Sequence, residues 1–264
     1  MAASASTIRP KLYVIPGSHA CRAAMLMLDH KQLAFDTVEF PPGLHPGLVR
    51  LLGFSPEGAH RSIDGRPHRM LAMVDQLGTV PALRLDGERT MTNRRIARVL
   101  DRVQPEPPLF PADPASREQV EEAERWGDEV FQMAARRTVL SATAGRHLIG
   151  EGADGRLGPL LFKNDRVRYG AARMFGATTF AATAGAEPQL LIEVRGMFDK
   201  IDSWIAAGVL DGEQLNAADF MIAPSIALLE YHRDLHDEIA ARPLGRMLER
   251  VMPRGAQKAS APAA

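Results

Sequence analysis

With 264 residues, 45% hydrophobic and 24% charged, the chain is long enough to bury a sizeable core and has the composition of an ordinary globular protein. Its 32 basic and 32 acidic residues cancel to a formal net charge of zero, which gives no bulk electrostatic case for nucleic acid, a membrane surface or a polyanionic substrate. One cysteine, Cys21, excludes an intramolecular disulfide framework and fits a reducing cytoplasm. The stretch Met1-Ala-Ala-Ser-Ala-Ser-Thr-Ile8 has neither the basic nor the apolar region of a secretory signal, and no uncharged apolar run approaches the ~20 residues that span a bilayer. A soluble, cytoplasmic protein is expected.

Leu12-Tyr-Val-Ile15 is a short apolar run with aromatic and β-branched character, and reads as a buried strand. Pro16-Gly17 breaks it, and Ser18 stands where the N-cap of the following helix belongs. A hydroxyl or thiol on such a turn meets the partial positive charge of the helix N-terminus, which favours a bound or developing anion. Ser18-x-x-Cys21 also has the spacing of a redox C-x-x-C motif whose first cysteine is serine. Taken alone, an ordinary N-cap and an inert core thiol are the plainer account.

Ala34 to Phe40 alternates as a second strand, and His45 to Leu52 predicts a short helix. Residues 54–76 are turn-rich and read as a solvated insertion, with Met70 to Asp75 returning to the core as a helical or extended piece. His60 and His68 lie there without the carboxylate or thiol spacing a metal needs, so no metal site is expected. Val80 to Met91 reads as an antiparallel hairpin turned at Asp86-Gly87, with Pro81 at a strand start and a candidate for the cis form. A helix follows from Asn93 to Asp101. The five prolines between Gln104 and Pro114 admit neither helix nor central strand, and mark a domain boundary.

Everything beyond reads helical. Val120, Ala123, Gly127, Val130, Phe131, Ala134 and Thr138 follow the spacing of one buried stripe. Gly150 to Gly158 is a glycine-rich break, Leu160 to Ala184 is weakly patterned, and Leu190 to Ile205 is strongly amphipathic. Asn216 with Asp219 three positions on is a capping-box variant, ahead of a helix that Pro224 should bend.

Three of these stretches, in this order and at these separations, resemble the cytosolic glutathione transferases over roughly residues 11–250. Leu12-Tyr…Ser18-x-x-Cys-Arg-Ala23 looks like the first strand and active-site turn of theta-like, serine-type members. Thr79-Val-Pro-Ala-Leu83 looks like the family's cis-proline segment, and Leu215-Asn-x-Ala-Asp-Phe220 like its helical-domain capping box. The resemblance implies an α+β thioredoxin-like domain (β-α-β-α-β-β-α) over 10–104, a proline-rich linker at 105–114, an all-α domain over 115–252 and a disordered tail at 253–264.

By the same resemblance, Ser18 donates a hydrogen bond to the thiol sulfur, the backbone of Val80 pairs with the cysteinyl part of the thiol, and Pro81 holds that edge exposed. His45 sits roughly where some members bind the glycyl carboxylate. The family's Glu-Ser pair for the γ-glutamyl group corresponds to Thr92 and Asn93 here. Thr92 carries no negative charge for an ammonium group, so the thiol is glutathione or another low-molecular-weight thiol. The implied function is a homodimeric transferase, of the detoxification type, activating that thiol for attack on an electrophile, with no further cofactor, nucleic acid or membrane partner. The electrophile would lie in an apolar cleft between the domains, lined partly by the first helix of the second domain and the 160–180 region. Arg136 and Arg137 either reach that cleft or lie on a solvated helix face, the latter being the plainer account. Two alternatives stand beside the transferase. One is a non-catalytic ligand-binding or dimerisation module. The other is glutaredoxin-like chemistry through Cys21.

Overall fold

The computed structural model describes residues 9–56, 62–63, 66–145 and 165–253. Its first part runs, in chain order, β1 (Lys11–Val14), α1 (His19–His30), β2 (Asp36–Glu39), α2 (His45–Leu51), β3 (Ser62–Ile63), β4 (Arg66–Pro67), α3 (Arg69–Leu77), β5 (Ala82–Leu85), β6 (Glu88–Met91) and α4 (Asn93–Val103). The four-stranded sheet has the order β2-β1-β5-β6. β1 is parallel to β2 and antiparallel to β5, and β5 pairs antiparallel with β6. This is the thioredoxin-like arrangement that the sequence order predicts. The hairpin turns at Asp86 (φ 48°) and Gly87 (φ 85°), the two positive values that a tight two-residue turn requires.

One sequence expectation changes in this part. Residues 54–76 are not simply a solvated insertion. β3 and β4 form a small hairpin, and α3 follows with Leu71 fully buried. Ile63 and Leu71 join Met133, Phe180 and Ala182 in a small core of their own, separate from the main one. Phe54 at the start of the stretch is buried in the main core, so the turn-rich sequence is anchored at both ends, with Met70 to Asp75 returning inward as expected.

The remainder is helical: α5 (Pro114–Trp126), a π-helical turn (Gly127–Phe131), α6 (Gln132–Gly145), α7 (Asp165–Phe180), a 3-10 turn (Ala184–Ala186), α8 (Glu187–Ala206), α9 (Ala217–Leu229), α10 (Arg233–Ala241) and α11 (Pro243–Val251). α9 is apolar on all sides and buried almost throughout, Pro224 included, as the central helix of the bundle. Asn216 caps it, accepting from Ala218 N at 2.9 Å. Asp219 reaches back to accept from Asn216 N (2.9 Å) and Asp211 N (2.8 Å). Burial pushes the Asp219 carboxyl up to about 6 in spite of those bonds.

The second change is at Val130, which is 41% exposed while Phe131 beside it is fully buried. The π-helical turn takes up one extra residue, so the stripe continues through Phe131 and Ala134 and leaves Val130 outside. Gly127 in that turn lies against α9, where a Cβ would come within 2.9 Å of Ile222 Cγ1. The 150–158 break and the tail from 254 lie outside the described residues.

α1 is fastened to the segment leading into the helical part. The Lys31 side chain is wholly buried and donates to Asp101 Oδ1 (2.5 Å), Pro105 O (3.2 Å) and Pro107 O (2.6 Å). Asp101 Oδ1 also accepts from Leu109 N, and Leu109 O in turn accepts from Ala217 N at the start of α9. The three ammonium protons therefore meet three acceptors.

Candidate functional site

The strand register brings most of the candidate residues to one end of the sheet. Tyr13 of β1 faces Ala82 of β5, and Ala82 faces Met91 of β6. The Val80-Pro81 segment before β5 and the Thr92-Asn93 step after β6 therefore flank the turn that carries β1 into α1. Val80-Pro81 is a cis peptide bond, and both residues are buried. Gly78 just before it (φ 140°) lies on α2, where a Cβ would come within 2.5 Å of Val49 Cγ2 and 3.3 Å of Pro46 O. His45, the first residue of α2 and half-buried, thus starts the helix on which this segment rests.

Ser18 is the N-cap of α1. Its extended backbone (φ −83°, ψ 111°) lets Oγ accept from Cys21 N at 3.2 Å. Accepting that bond leaves the hydroxyl its own proton to donate. Cys21 is 1% exposed, and burial pushes its thiol up to about 11, against the opposing effect of the Ser18 hydroxyl. A thiol so buried and so weakly acidic lacks the thiolate population that redox chemistry needs.

Across from Ser18, Asn93 begins α4 and is buried. Its Nδ2 donates 2.9 Å to Ala20 O in the first turn of α1, while Oδ1 is buried with no hydrogen-bond partner. Thr92 before it has φ 68° and ψ 142°, a combination that residues with a Cβ avoid, at a cost of order 1–3 kcal/mol. Its side chain makes no cap bond, so the N-terminus of α4 has no side-chain acceptor at its first turn. Two helix N-termini, those of α1 and α4, thus meet at this end of the sheet and give it a positive local potential.

The helical part adds to that potential. His19 is buried against α6, with Nε2 lacking a partner, and its basicity is held well below the ordinary value by burial and then by the Arg136 guanidinium. Arg136 also acts on Cys21, and its Cζ lies 5.2 Å from the centre of the Phe180 ring. The solvated-face account of Arg136 and Arg137 is therefore set aside: Arg137 is buried, and Arg136 is half-buried with its guanidinium near the Phe180 ring. Sequence periodicity carried no signal for the role of His19. Between the two parts, Ile63 and Leu71 are buried together with Met133, Phe180 and Ala182 of the helical part. Among the described residues no group of three or more histidine, cysteine or carboxylate side chains could hold a metal ion, and no helix is long and apolar enough to cross a membrane.

A thioredoxin-like sheet joined to a helical bundle, with a serine-capped helix facing a cis-proline edge, is the fold of the glutathione S-transferases. Residues 12–108 match the family model described as the N-terminal domain of glutathione S-transferase. Among solved structures, FzlA from C. crescentus is similar at 18% identity, with 97% of each chain covered and a TM-score of 0.59. A glutathione S-transferase from Methylobacterium radiotolerans, in complex with glutathione sulfonate, is 18% identical over 97% of this chain and 96% of its own, with a TM-score of 0.56. A third, from Methylobacillus flagellatus with glutathione bound, is 19% identical over 96% of this chain and 100% of its own, with a TM-score of 0.58. Curated protein sequences contain no match to the chain.

Proposed function

We propose that this protein binds a small thiol of the glutathione class at the sheet end between Ser18 and Asn93, and activates it for transfer to an electrophile in the manner of serine-type transferases. The observation that carries this reading is Ser18 itself. Its oxygen caps α1 while its proton remains available to a sulfur at a positively polarised helix end. The Val80 backbone is the matching edge for the cysteinyl unit, with Pro81 holding it. Asn93 Oδ1, a buried acceptor without a partner, and the uncapped first turn of α4 suit the amine and carboxylate of an amino-acid terminus. His45 suits a second carboxylate. The comparisons support the reading at the level of fold and N-terminal domain; the reaction and the homodimer are part of the proposal.

Activation requires little energy. A thiol with a pKa near 8.5 is mostly protonated at neutral pH, and lowering it by one unit takes about 1.4 kcal/mol, the worth of one charge-assisted hydrogen bond. The test is titration of the thiolate absorbance of bound glutathione, together with conjugation of chlorodinitrobenzene, in wild type, Ser18→Ala and Cys21→Ala. The expected result is a depressed thiol pKa, raised about one unit in Ser18→Ala with about tenfold slower conjugation at neutral pH, and no change in Cys21→Ala. Full activity in Ser18→Ala sinks the proposal.

One observation favours a second reading, a thiol- or ligand-binding module without catalysis. Ile63 and Leu71 of the first part are buried against Met133 and Phe180 of the helical part, apolar contacts that leave less room there for a second substrate. Tight binding of glutathione with no turnover of any electrophile would select it.

A further inference from the structure

The buried amide of Asn93 has one hydrogen-bonding group left over. Asn93 is 2% exposed, and its Nδ2 donates 2.9 Å to Ala20 O. A carbonyl oxygen can only accept, so this bond fixes which end of the amide is which and leaves Oδ1, an acceptor, without a partner. The amide joins the first turn of α4 to the first turn of α1, so Oδ1 lies between the two helix starts, beside the turn that carries Ser18. A buried acceptor left open is costly, and a donor that reaches it recovers that cost.

The surroundings decide which donor. Both helix starts carry partial positive charge, and the first turn of α4 adds Arg94 and Arg95 and no acidic residue. The Arg136 guanidinium lies within electrostatic reach of His19 and Cys21 in the first turn of α1. Two carboxylates approach α4 here, Glu124 and Glu129, and Arg94 pairs with both, at 3.9 and 2.9 Å. Glu39 ends β2 at this end of the sheet, but β2 is three strands from β6, roughly 14 Å across the sheet. An ammonium at Oδ1 would therefore lose its hydration among positive charges, with one neutral carbonyl to receive it. A neutral N–H or O–H makes the same hydrogen bond without that penalty, and a carboxylate beside it gains from the uncapped amides of α4.

We propose that the thiol selected by this site carries a neutral hydrogen-bond donor, an alcohol or an acylated amine, where glutathione carries its α-ammonium, with a carboxylate beside it. The donor meets Asn93 Oδ1, and the carboxylate meets the first turn of α4. This rests on the thiol-binding reading above and narrows the class of thiol.

The test is isothermal titration of the whole protein with glutathione and three analogues altered only at the α-nitrogen. These are the hydroxyl analogue, N-acetylglutathione and the des-amino compound, which has no donor there. The hydroxyl or the acetyl analogue should bind at least about tenfold more tightly than glutathione, and more tightly than the des-amino compound. A preference for the hydroxyl analogue identifies an alcohol as the donor, and a preference for the acetyl analogue an acylated amine; either supports the proposal. Thr92→Glu, which adds a carboxylate at this turn, should return the advantage to glutathione at unchanged circular dichroism. Wild-type protein that binds glutathione as tightly as every analogue overturns the proposal and leaves the thiol-binding reading standing. Equal binding of the des-amino and donor-bearing analogues, or an order of affinities unaltered in folded Thr92→Glu, does the same. Failure of all four compounds to bind refutes the thiol-binding reading itself, and the proposal with it.

Discussion

Lys31→Met removes the buried ammonium but keeps the length of the side chain, and its cost follows from the partners left behind. Asp101 loses its cation while its side chain is only 19% exposed, and Pro105 O and Pro107 O lose their donor. Removing one member of a buried ion pair costs about 3–5 kcal/mol, because the other charge stays desolvated. Asp101 keeps the Leu109 N–H and some contact with water, which places the expected loss near the lower limit, about 3 kcal/mol. For a chain of this size that corresponds to a melting temperature lower by about 6–12 °C. Urea unfolding followed by circular dichroism and by the fluorescence of Trp126 and Trp204 measures it. Asp101→Leu in the Lys31→Met background should cost less than Asp101→Leu alone, since the carboxylate then has no ammonium to lose. A loss under about 1 kcal/mol, or additivity of the two changes within about 0.5 kcal/mol, would refute the reasoning.

Two other expectations concern titrating groups in the core. Cys21 should resist alkylation by iodoacetamide in the native state and react only as the chain unfolds, because it is both shielded and pushed up to about 11; rapid native labelling would contradict the burial. Glu124 is fully buried against Arg98 and Arg94 of α4, and burial pushes its carboxyl up to about 7 in spite of them. A carboxyl raised on folding stabilises the folded state below its unfolded value near 4.5, and that contribution fades as the pH rises through about 7. Relative to Glu124→Gln, the wild type should therefore gain thermal stability between pH 8 and pH 5. A pH-independent difference between the two proteins would show that Glu124 titrates as it does when unfolded.

What could be seen in the sequence was local. Ser18 announces a helix start within three residues of the backbone it caps. Asp86-Gly87 announces a turn because few other pairs tolerate two positive φ values, and Asn216 with Asp219 forms a box spanning one helical turn. The staple at Lys31 gave no such signal. Its partners lie 70 or more positions away, and two of them are carbonyl oxygens that any residue could supply. Met70 to Asp75 could be read as a piece returning to the core, but which residues receive Leu71 could not, since Met133, Phe180 and Ala182 come from the distant helical part. Cys21 shows the opposite case. Its spacing from Ser18 suggests redox chemistry, and only packing reveals that the thiol is shut away. The strain at Thr92 is likewise a tertiary property, imposed where β6 must turn directly into α4.

The π-helical turn after Trp126 sets the phase of a long rod. At about 100° per residue, a regular helix would place Arg136 about 120° around from Glu124 after three full turns. The wide turn absorbs one residue at almost no rotation, which brings the two side chains back to within about 20° of each other. That one residue allows α5 and α6 to address the sheet from the same side: Glu124 holds Arg98 of α4, and Arg136 faces the beginning of α1. The distance between a structural ion pair and a polarised helix end is thus fixed by a single inserted residue.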